Sequence, residues 1–265
     1  MTTSVLDALA PHGWPLFALL TARVLGVALI APLWSMATMA PRIRAGLVIV
    51  LSLVLAPSAA GGTAPEATLL LPVAVGAELL IGLAIGLTAS LFVQAVAIAG
   101  DVAAVQMGLS IASVYDPATE STVTQIAQLT TFATIALYTT LGGPLILVRT
   151  LADTIVAIPL GTVAAFDTGT RAVLLQTSSI FGAAVRLAAP LMAAMFLANV
   201  GLAILTKAVP QISAFMVAFP ATIGLGLVVL AASLPGRGTL VREWLSGLPT
   251  LLDQTLGAFV PAVVR

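Results

Sequence analysis

The feature that most constrains this chain is the length of its apolar segments. The blocks at 14–39, 69–99 and 173–200 are each longer than the stretch that crosses a bilayer, which is about 20 residues. Hydrophobic residues make up 60% of the sequence and charged residues only 8%, whereas roughly a quarter of a soluble domain is charged. The sequence therefore predicts an all-α, polytopic membrane protein built from helical hairpins.

One polar segment, Gly100–Thr124, interrupts the apolar sequence and divides the single membrane domain 1–265. We expect N-terminal hairpins over 1–99, a central loop over 100–124, C-terminal hairpins over 125–234 and a polar tail over 235–265. A loop of this length is usually functional or disordered. Apolar side chains within it favour a loop that packs against something: Met107, Leu109, Ile111, Val114 and Tyr115. A surface connector remains the alternative.

Four charged residues lie inside the apolar blocks: Arg23, Glu78, Arg186 and Lys207. An unpaired charge in the membrane costs at least about 2.5–3.5 kcal/mol. We therefore expect these residues to form structural ion pairs, within the bundle or between subunits, with Glu78 paired to Arg23 or Arg186. Snorkelling of Arg23 and a proton-relay role for Glu78 are the alternatives.

A helix break is predicted where Pro210 and Pro220 bracket Gln211 and Phe215, because proline cannot sit in an undisturbed helix. Secondary transporters use such discontinuous helices to bind substrate. A transporter would carry a matching broken segment in a second, related half. No such half is visible in the sequence.

The residues that most enzymes and metal sites require are scarce. The chain has no cysteine and one histidine, and it lacks phosphate-loop, HExxH and GxSxG motifs. Its ten basic and ten acidic residues give no basic face for nucleic acid. We expect no catalytic site, no cofactor, no metal and no nucleic-acid partner.

A series of short motifs runs along nearly the whole chain. In order they are Ala22-Arg-Val-Leu-Gly, Pro41-Arg-Ile-Arg, Glu78-Leu-Leu-Ile-Gly-Leu-Ala-Ile-Gly86, Gln106-Met-Gly-Leu-Ser-Ile-Ala-Ser with Asp116-Pro117, and Val209-Pro-Gln with Phe215 and Phe219-Pro220. Together they resemble the FliR family of flagellar type III export-gate proteins, whose injectisome counterpart is SctT.

The resemblance implies a subunit of a helical export gate in the bacterial inner membrane, at the base of the flagellum. Such a subunit looks like a fusion of its FliP-like and FliQ-like partners, assembles with several copies of both, works beside an FlhB-like export switch protein and passes unfolded proteins. An injectisome gate for virulence effectors, a small-solute transporter and a scaffold for assembly are the alternatives.

The resemblance also implies that the loop corresponding to Gln106–Thr122 plugs the closed channel. The residues that would form the plug in this chain are Gln106, Met107, Gly108, Leu109, Ile111, Val114, Tyr115, Asp116 and Pro117. A flexible loop with apolar side chains can block water and ions and still be displaced by an unfolded substrate.

Overall fold

The computed structural model describes residues 13–36, 39–59, 62, 70–109, 125–161, 166–208 and 214–259. Within these ranges the chain is helical, with no strand. The helices are α1 (Trp14–Ile30), α2 (Pro41–Leu55), a 3-10 turn (Ala56–Ala59), α3 (Leu71–Gln106), α4 (Gln125–Thr140), α5 (Gly143–Ala157), α6 (Phe166–Ala208) and α7 (Ala214–Gly257). The prediction of an all-α protein is confirmed.

Several helices are long and apolar enough to cross a membrane. In the part of the chain that the structure describes, three qualify by length and composition: Pro41–Ala59, Leu71–Gln106 and Asp167–Ile204. Two bent pairs also qualify when each is taken as one span, namely Gln125–Thr140 with Gly143–Ala157 at 65° and Pro220–Ser233 with Gly238–Thr255 at 50°. The chain is thus a multi-pass membrane protein with three to five candidate spans.

The bend between α4 and α5 follows from two neighbouring residues. Gly142 has φ +79°, in the left-handed region that residues with a Cβ rarely adopt. Pro144 lies in the first turn of α5, where its missing N–H costs no helical hydrogen bond. A sharp change of direction therefore requires no loop at this point.

The chain folds into two compact units that do not follow the linear division expected from the sequence. The first contains Met1–Leu91, Gly142–Thr177 and Leu245–Arg265, and the second contains Phe92–Leu141 and Ser178–Trp244. The helices α3, α6 and α7 each pass from one unit into the other. The reason is their length, since each has at least 36 residues.

In the first unit, α1 and α3 pack with their backbones in close contact. A Cβ at Gly82 would clash with the carbonyl oxygen of Arg23, and a Cβ at Gly86 would lie 2.9 Å from that of Val27. Gly82 and Gly86 thus form a small-residue pair, a pattern that lets membrane helices approach closely. This contact sets the position of α1 against α3.

In the second unit, the core lies where α3 ends. Six buried residues form its apolar cluster: Ala103, Ala104, Met107, Ile126, Leu191 and Met195. Gly100 allows α4 to approach, because a Cβ there would lie 2.6 Å from the Cα of Ala127. The expectation that the central loop begins at Gly100 is therefore wrong, because α3 continues to Gln106 and Gly100 is a packing contact within that helix.

The C-terminal region also differs from the sequence expectation. The predicted tail 235–265 is not separate, since α7 continues to Gly257. Its residues Leu245, Leu248 and Leu252 are buried because they recur every three or four positions on one helix face. Residues 260–265 lie outside the described ranges.

The predicted break near Pro210 falls between α6, which ends at Ala208, and α7, which begins at Ala214. Pro210 and Gln211 lie outside the described residues. Phe215 is in the first turn of α7, and Pro220 lies further inside that helix with an exposed side chain. Pro220 therefore does not mark a chain break.

Candidate functional site

The charged centre of the first unit is an ion pair between Arg23 on α1 and Glu78 on α3. Arg23 Nε lies 2.6 Å from Glu78 Oε2, and the two side chains are 0% and 2% exposed. The residues are 55 positions apart in sequence. They meet because the glycine contact between α1 and α3 brings the two backbones together at this level.

Backbone groups near the end of α5 complete the coordination of the pair. Arg23 Nη1 donates hydrogen bonds to the carbonyl oxygens of Thr154 at 3.2 Å and Ile158 at 3.0 Å. The N–H of Gly161 donates to Glu78 Oε1 at 3.0 Å. The C-terminal end of a helix carries unpaired carbonyls and partial negative charge, so an arginine is stabilised there. The pair thus connects α1, α3 and the end of α5.

One nitrogen of this buried arginine stays unsatisfied, because Arg23 Nη2 has no hydrogen-bond partner in the part of the chain that the structure describes. Burying two charges is costly, and their attraction compensates only with good geometry and additional hydrogen bonds. The short Nε–Oε2 distance and the three backbone hydrogen bonds provide both. The arrangement acts as a structural connection between helices.

The other two predicted charges lie elsewhere. Arg186 and Lys207 are both exposed on α6, and neither forms an ion pair or hydrogen bond with a residue that the structure describes. Of the two partners considered for Glu78, the structure selects Arg23. Arg186 and Lys207 are therefore not intramolecular partners in the described part of the chain.

The central segment, which we define as residues 107–124, begins at a helix end with a specific cap. Gly108 has φ +77°. The N–H of Leu109 bonds to the carbonyl of Ala104, and the N–H of Gly108 bonds to that of Val105, both at 3.0 Å. These two bonds form a Schellman motif with glycine in the left-handed position. The end of α3 is thus encoded at Gly108.

Met107 attaches this end to the core of the second unit. Its side chain is fully buried, and it fills the space beside Gly226, where a Cβ would lie 2.7 Å from Met107 Sδ. Thr222 Oγ1 donates to the carbonyl of Met107 at 3.5 Å. Leu109 is packed against the same cluster, and Gln106 is half-buried. Met107 is therefore an anchor at which the central segment starts.

The remaining predicted plug residues fall outside the described ranges. They are Ile111, Val114, Tyr115, Asp116 and Pro117. Their sealing role stays a prediction. What the structure adds is that the residues that precede them, Met107–Leu109, are fixed against the core of the second unit.

A polar cluster in the first unit escaped the sequence analysis. Gln176 on α6 donates from Nε2 to Thr255 Oγ1 at 2.6 Å and to the carbonyl of Leu251 at 3.1 Å, both on α7. Thr88 on α3 donates to Gln176 Oε1 at 3.0 Å. A single amide thus joins three helices. Its one sequence signal is an amide side chain inside an apolar block, where polar residues commonly bond across helices.

Comparison with known proteins places these features in a family context. Residues 14–247 match the family model described as "Bacterial export proteins, family 1". This range contains both residues of the ion pair, Arg23 and Glu78, and the described start of the central segment.

Individual relatives are named as flagellar biosynthetic proteins or as a translocation protein. The chain is 31% identical to "Flagellar biosynthetic protein FliR" of Escherichia coli K12 over 222 residues, 84% of this chain and 83% of that protein. It is 26% identical to the FliR protein of Caulobacter vibrioides over 238 residues, 89% and 94% of the two chains. It is also 31% identical to "Yop proteins translocation protein T" of Yersinia pestis over 181 residues, 67% and 69%.

Proposed function

Because this chain belongs to family 1 of the bacterial export proteins, we propose that it is a subunit of the gate of a type III protein-export apparatus in the bacterial inner membrane. The resemblance to the FliR family that its motifs indicate is confirmed by the relatives. The observation that carries the proposal is the family match over 14–247, which includes nearly all the described helices.

We favour the flagellar branch of this machinery. Three relatives named as flagellar FliR proteins each match at least 80% of the chain, whereas the Yop translocation relative matches 67%. The exported proteins would then be unfolded flagellar components. An injectisome gate for virulence effectors is the second candidate, and the Yop relative is the observation that supports it.

The outer surface of α6 supports assembly with FliP-like and FliQ-like subunits. Its apolar span, Asp167–Ile204, has 38 residues, which at about 1.5 Å per residue make roughly 57 Å. The hydrocarbon layer is only about 30 Å thick. Large apolar side chains are exposed along the whole span: Leu174, Leu175, Phe181, Val185, Phe196, Leu197 and Ile204. Lipid alone cannot cover them, so protein partners are required.

Within such a gate, the central segment helps to seal the closed pore. Its described start is anchored by Met107 and Leu109 against the core of the second unit, and Gly108 between them is left-handed. The apolar residues beyond Leu109 exclude water and ions, and an arriving unfolded substrate displaces them. The chain has no phosphate-binding loop, so other components, including an FlhB-like switch protein, supply energy and control.

The proposal is tested by removing the gene for this chain and restoring it on a plasmid with an affinity tag. We expect the deletion to abolish release of filament protein into the medium, while a periplasmic protein exported by the general secretory route is unaffected. The tagged chain should bring down FliP-like and FliQ-like subunits. Loss of effector secretion with normal filaments would support the injectisome candidate, and transport of a small solute without partners would refute the gate.

A further inference from the structure

A cavity in the second unit is not explained by the export function. Its volume is about 580 Å³, which lies within the roughly 300–1,000 Å³ typical of small-molecule sites. Residues of α3, α6 and α7 line it: Phe92, Gly182, Ala183, Arg186, Leu187 and Leu240. The wall is therefore apolar apart from one guanidinium group.

Arg186 is the polar element of this cavity. It lies in the apolar segment Asp167–Ile204 and is exposed, as are the nearby apolar side chains Phe181 and Val185. It forms no ion pair or hydrogen bond with any residue in the described ranges. A cation within an apolar membrane segment is costly unless it meets an anion or water. The site therefore favours an anionic occupant.

The α7 side of the cavity is bordered by charged and aromatic residues. Leu240, which lines the cavity, is followed closely by the exposed charges Arg242 and Glu243 and by Trp244. The Trp244 ring stacks on the wall residue Phe92, with 5.3 Å between ring centroids. This aromatic contact holds α7 against α3 beside the cavity.

We propose that this cavity binds an anionic phospholipid. The phosphate accepts two parallel hydrogen bonds from the Arg186 guanidinium, and the start of an acyl chain packs against Phe92, Leu187 and Leu240. Basic pockets between membrane helices are common sites for anionic headgroups. The site depends on the membrane location of the chain and not on which proteins pass through the gate.

The first test removes the charge. The complex formed by the chain is purified with Arg186→Gln, with the control Arg149→Gln and without substitution, since Arg149 is an exposed arginine of α5 that lines no part of the cavity. Each is placed in nanodiscs of phosphatidylglycerol diluted in phosphatidylcholine, and retained lipid is measured by native mass spectrometry. We expect at least about tenfold weaker retention of phosphatidylglycerol in Arg186→Gln alone, because charged hydrogen bonds are the strong ones.

The second test fills the cavity and keeps the charge. A Cβ at Gly182 meets no atom within 4 Å, so Gly182→Leu fits on the helix and occupies the cavity. Gly201→Leu, on the same helix and equally unobstructed, is the matched control. We expect Gly182→Leu to lose the lipid and Gly201→Leu to retain it. Because lipid retention is measured without export, a failure here leaves the proposed function intact.

Three outcomes would overturn the lipid site. Equal phosphatidylglycerol retention by Arg186→Gln and Arg149→Gln would show general surface attraction. Displacement of the lipid by millimolar inorganic phosphate would show a site for free phosphate. Cross-linking of residue 186 to an acidic residue of a co-purified subunit in the intact complex would show that a protein carboxylate holds the arginine.

Discussion

The ion pair between Arg23 and Glu78 gives the sharpest energetic prediction. In Glu78→Gln, the amide replaces a carboxylate whose Oε2 lies 2.6 Å from Arg23 Nε. The arginine stays fully buried with its charge uncompensated, because the carbonyls of Thr154 and Ile158 and the amide oxygen of the new glutamine can accept from it but carry no charge. Breaking a buried pair in this way costs about 3–5 kcal/mol of unfolding free energy.

The reverse substitution, Arg23→Leu, should cost a similar amount. Glu78 would retain only the hydrogen bond from the Gly161 N–H. The carbonyl of Thr154 still accepts from the Ile158 N–H at 2.9 Å, but that of Ile158 loses its donor from Arg23. The expected loss is again about 3–5 kcal/mol, mostly from the unpaired buried carboxylate.

The double substitution Arg23→Leu with Glu78→Leu separates the pair from its surroundings. It removes both buried charges together, which is often neutral or even stabilising. The unsatisfied Ile158 carbonyl and Gly161 N–H each leave a remaining cost of up to about 1–3 kcal/mol. If the two substitutions acted independently, their costs in unfolding free energy would instead sum to about 6–10 kcal/mol.

The assay is unfolding of the purified complex by titration with dodecyl sulfate in mixed micelles, followed by tryptophan fluorescence. The chain contains three tryptophans, of which Trp34 lies beside the first unit's core and is buried. A double variant as unstable as the sum of the single variants would refute the reasoning. So would a Glu78→Gln variant with wild-type stability, since the carboxylate would then contribute nothing.

The same titration checks three further substitutions. Gly82→Ala forces a Cβ against the carbonyl of Arg23 and should cost about 1–3 kcal/mol of unfolding free energy. The control Gly76→Ala, whose Cβ meets no atom within 4 Å, should be neutral or slightly stabilising. Equal losses in the two variants would exclude the close contact between α1 and α3. Gln176→Leu removes three hydrogen bonds to two other helices, α3 and α7, and should cost about 0.6–1.7 kcal/mol. No change in stability would mean that the cluster is not formed. Gly142→Ala places a Cβ at φ +79° and should cost about 1–3 kcal/mol; a stabilised variant would contradict the left-handed bend.

The all-α fold class was predictable because the length of the apolar segments alone requires it. A chain with so few charges must satisfy its backbone groups internally within the bilayer, and helices do so locally. The partner of Glu78 was not predictable in the same way. Arg23 and Arg186 were equally suitable by residue type, and the choice depends on the approach of α1 to α3 at Gly82.

The start of the central segment shows how glycine misleads a reading of sequence. Gly100 and Gly108 carry the same local signal, but Gly100 allows helix packing against Ala127, whereas Gly108 takes a left-handed cap. Only the neighbouring helix distinguishes the two roles. The side chain of Met107 is likewise compatible with a pore plug and with a packed core. Its burial beside Gly226 identifies it as an anchor in the core.

The Gln176 cluster could not be predicted because its partners come from distant parts of the chain. Thr88 is 88 residues away and Thr255 is 79 residues away. Each of these three side chains alone resembles an ordinary polar residue on a membrane helix. Their convergence is a property of how α3, α6 and α7 pack within the first unit.

Ion leakage tests most directly whether the segment following Met107 seals a protein-export gate, as we propose. Residues 110–122 are replaced by a glycine–serine sequence of equal length, which keeps the anchor at Met107–Leu109 and removes the apolar side chains. Potassium efflux is measured in cells, with complex assembly checked by co-purification. We expect an assembled complex and a membrane that leaks ions. An assembled complex in a membrane as tight as that of the wild type would contradict it.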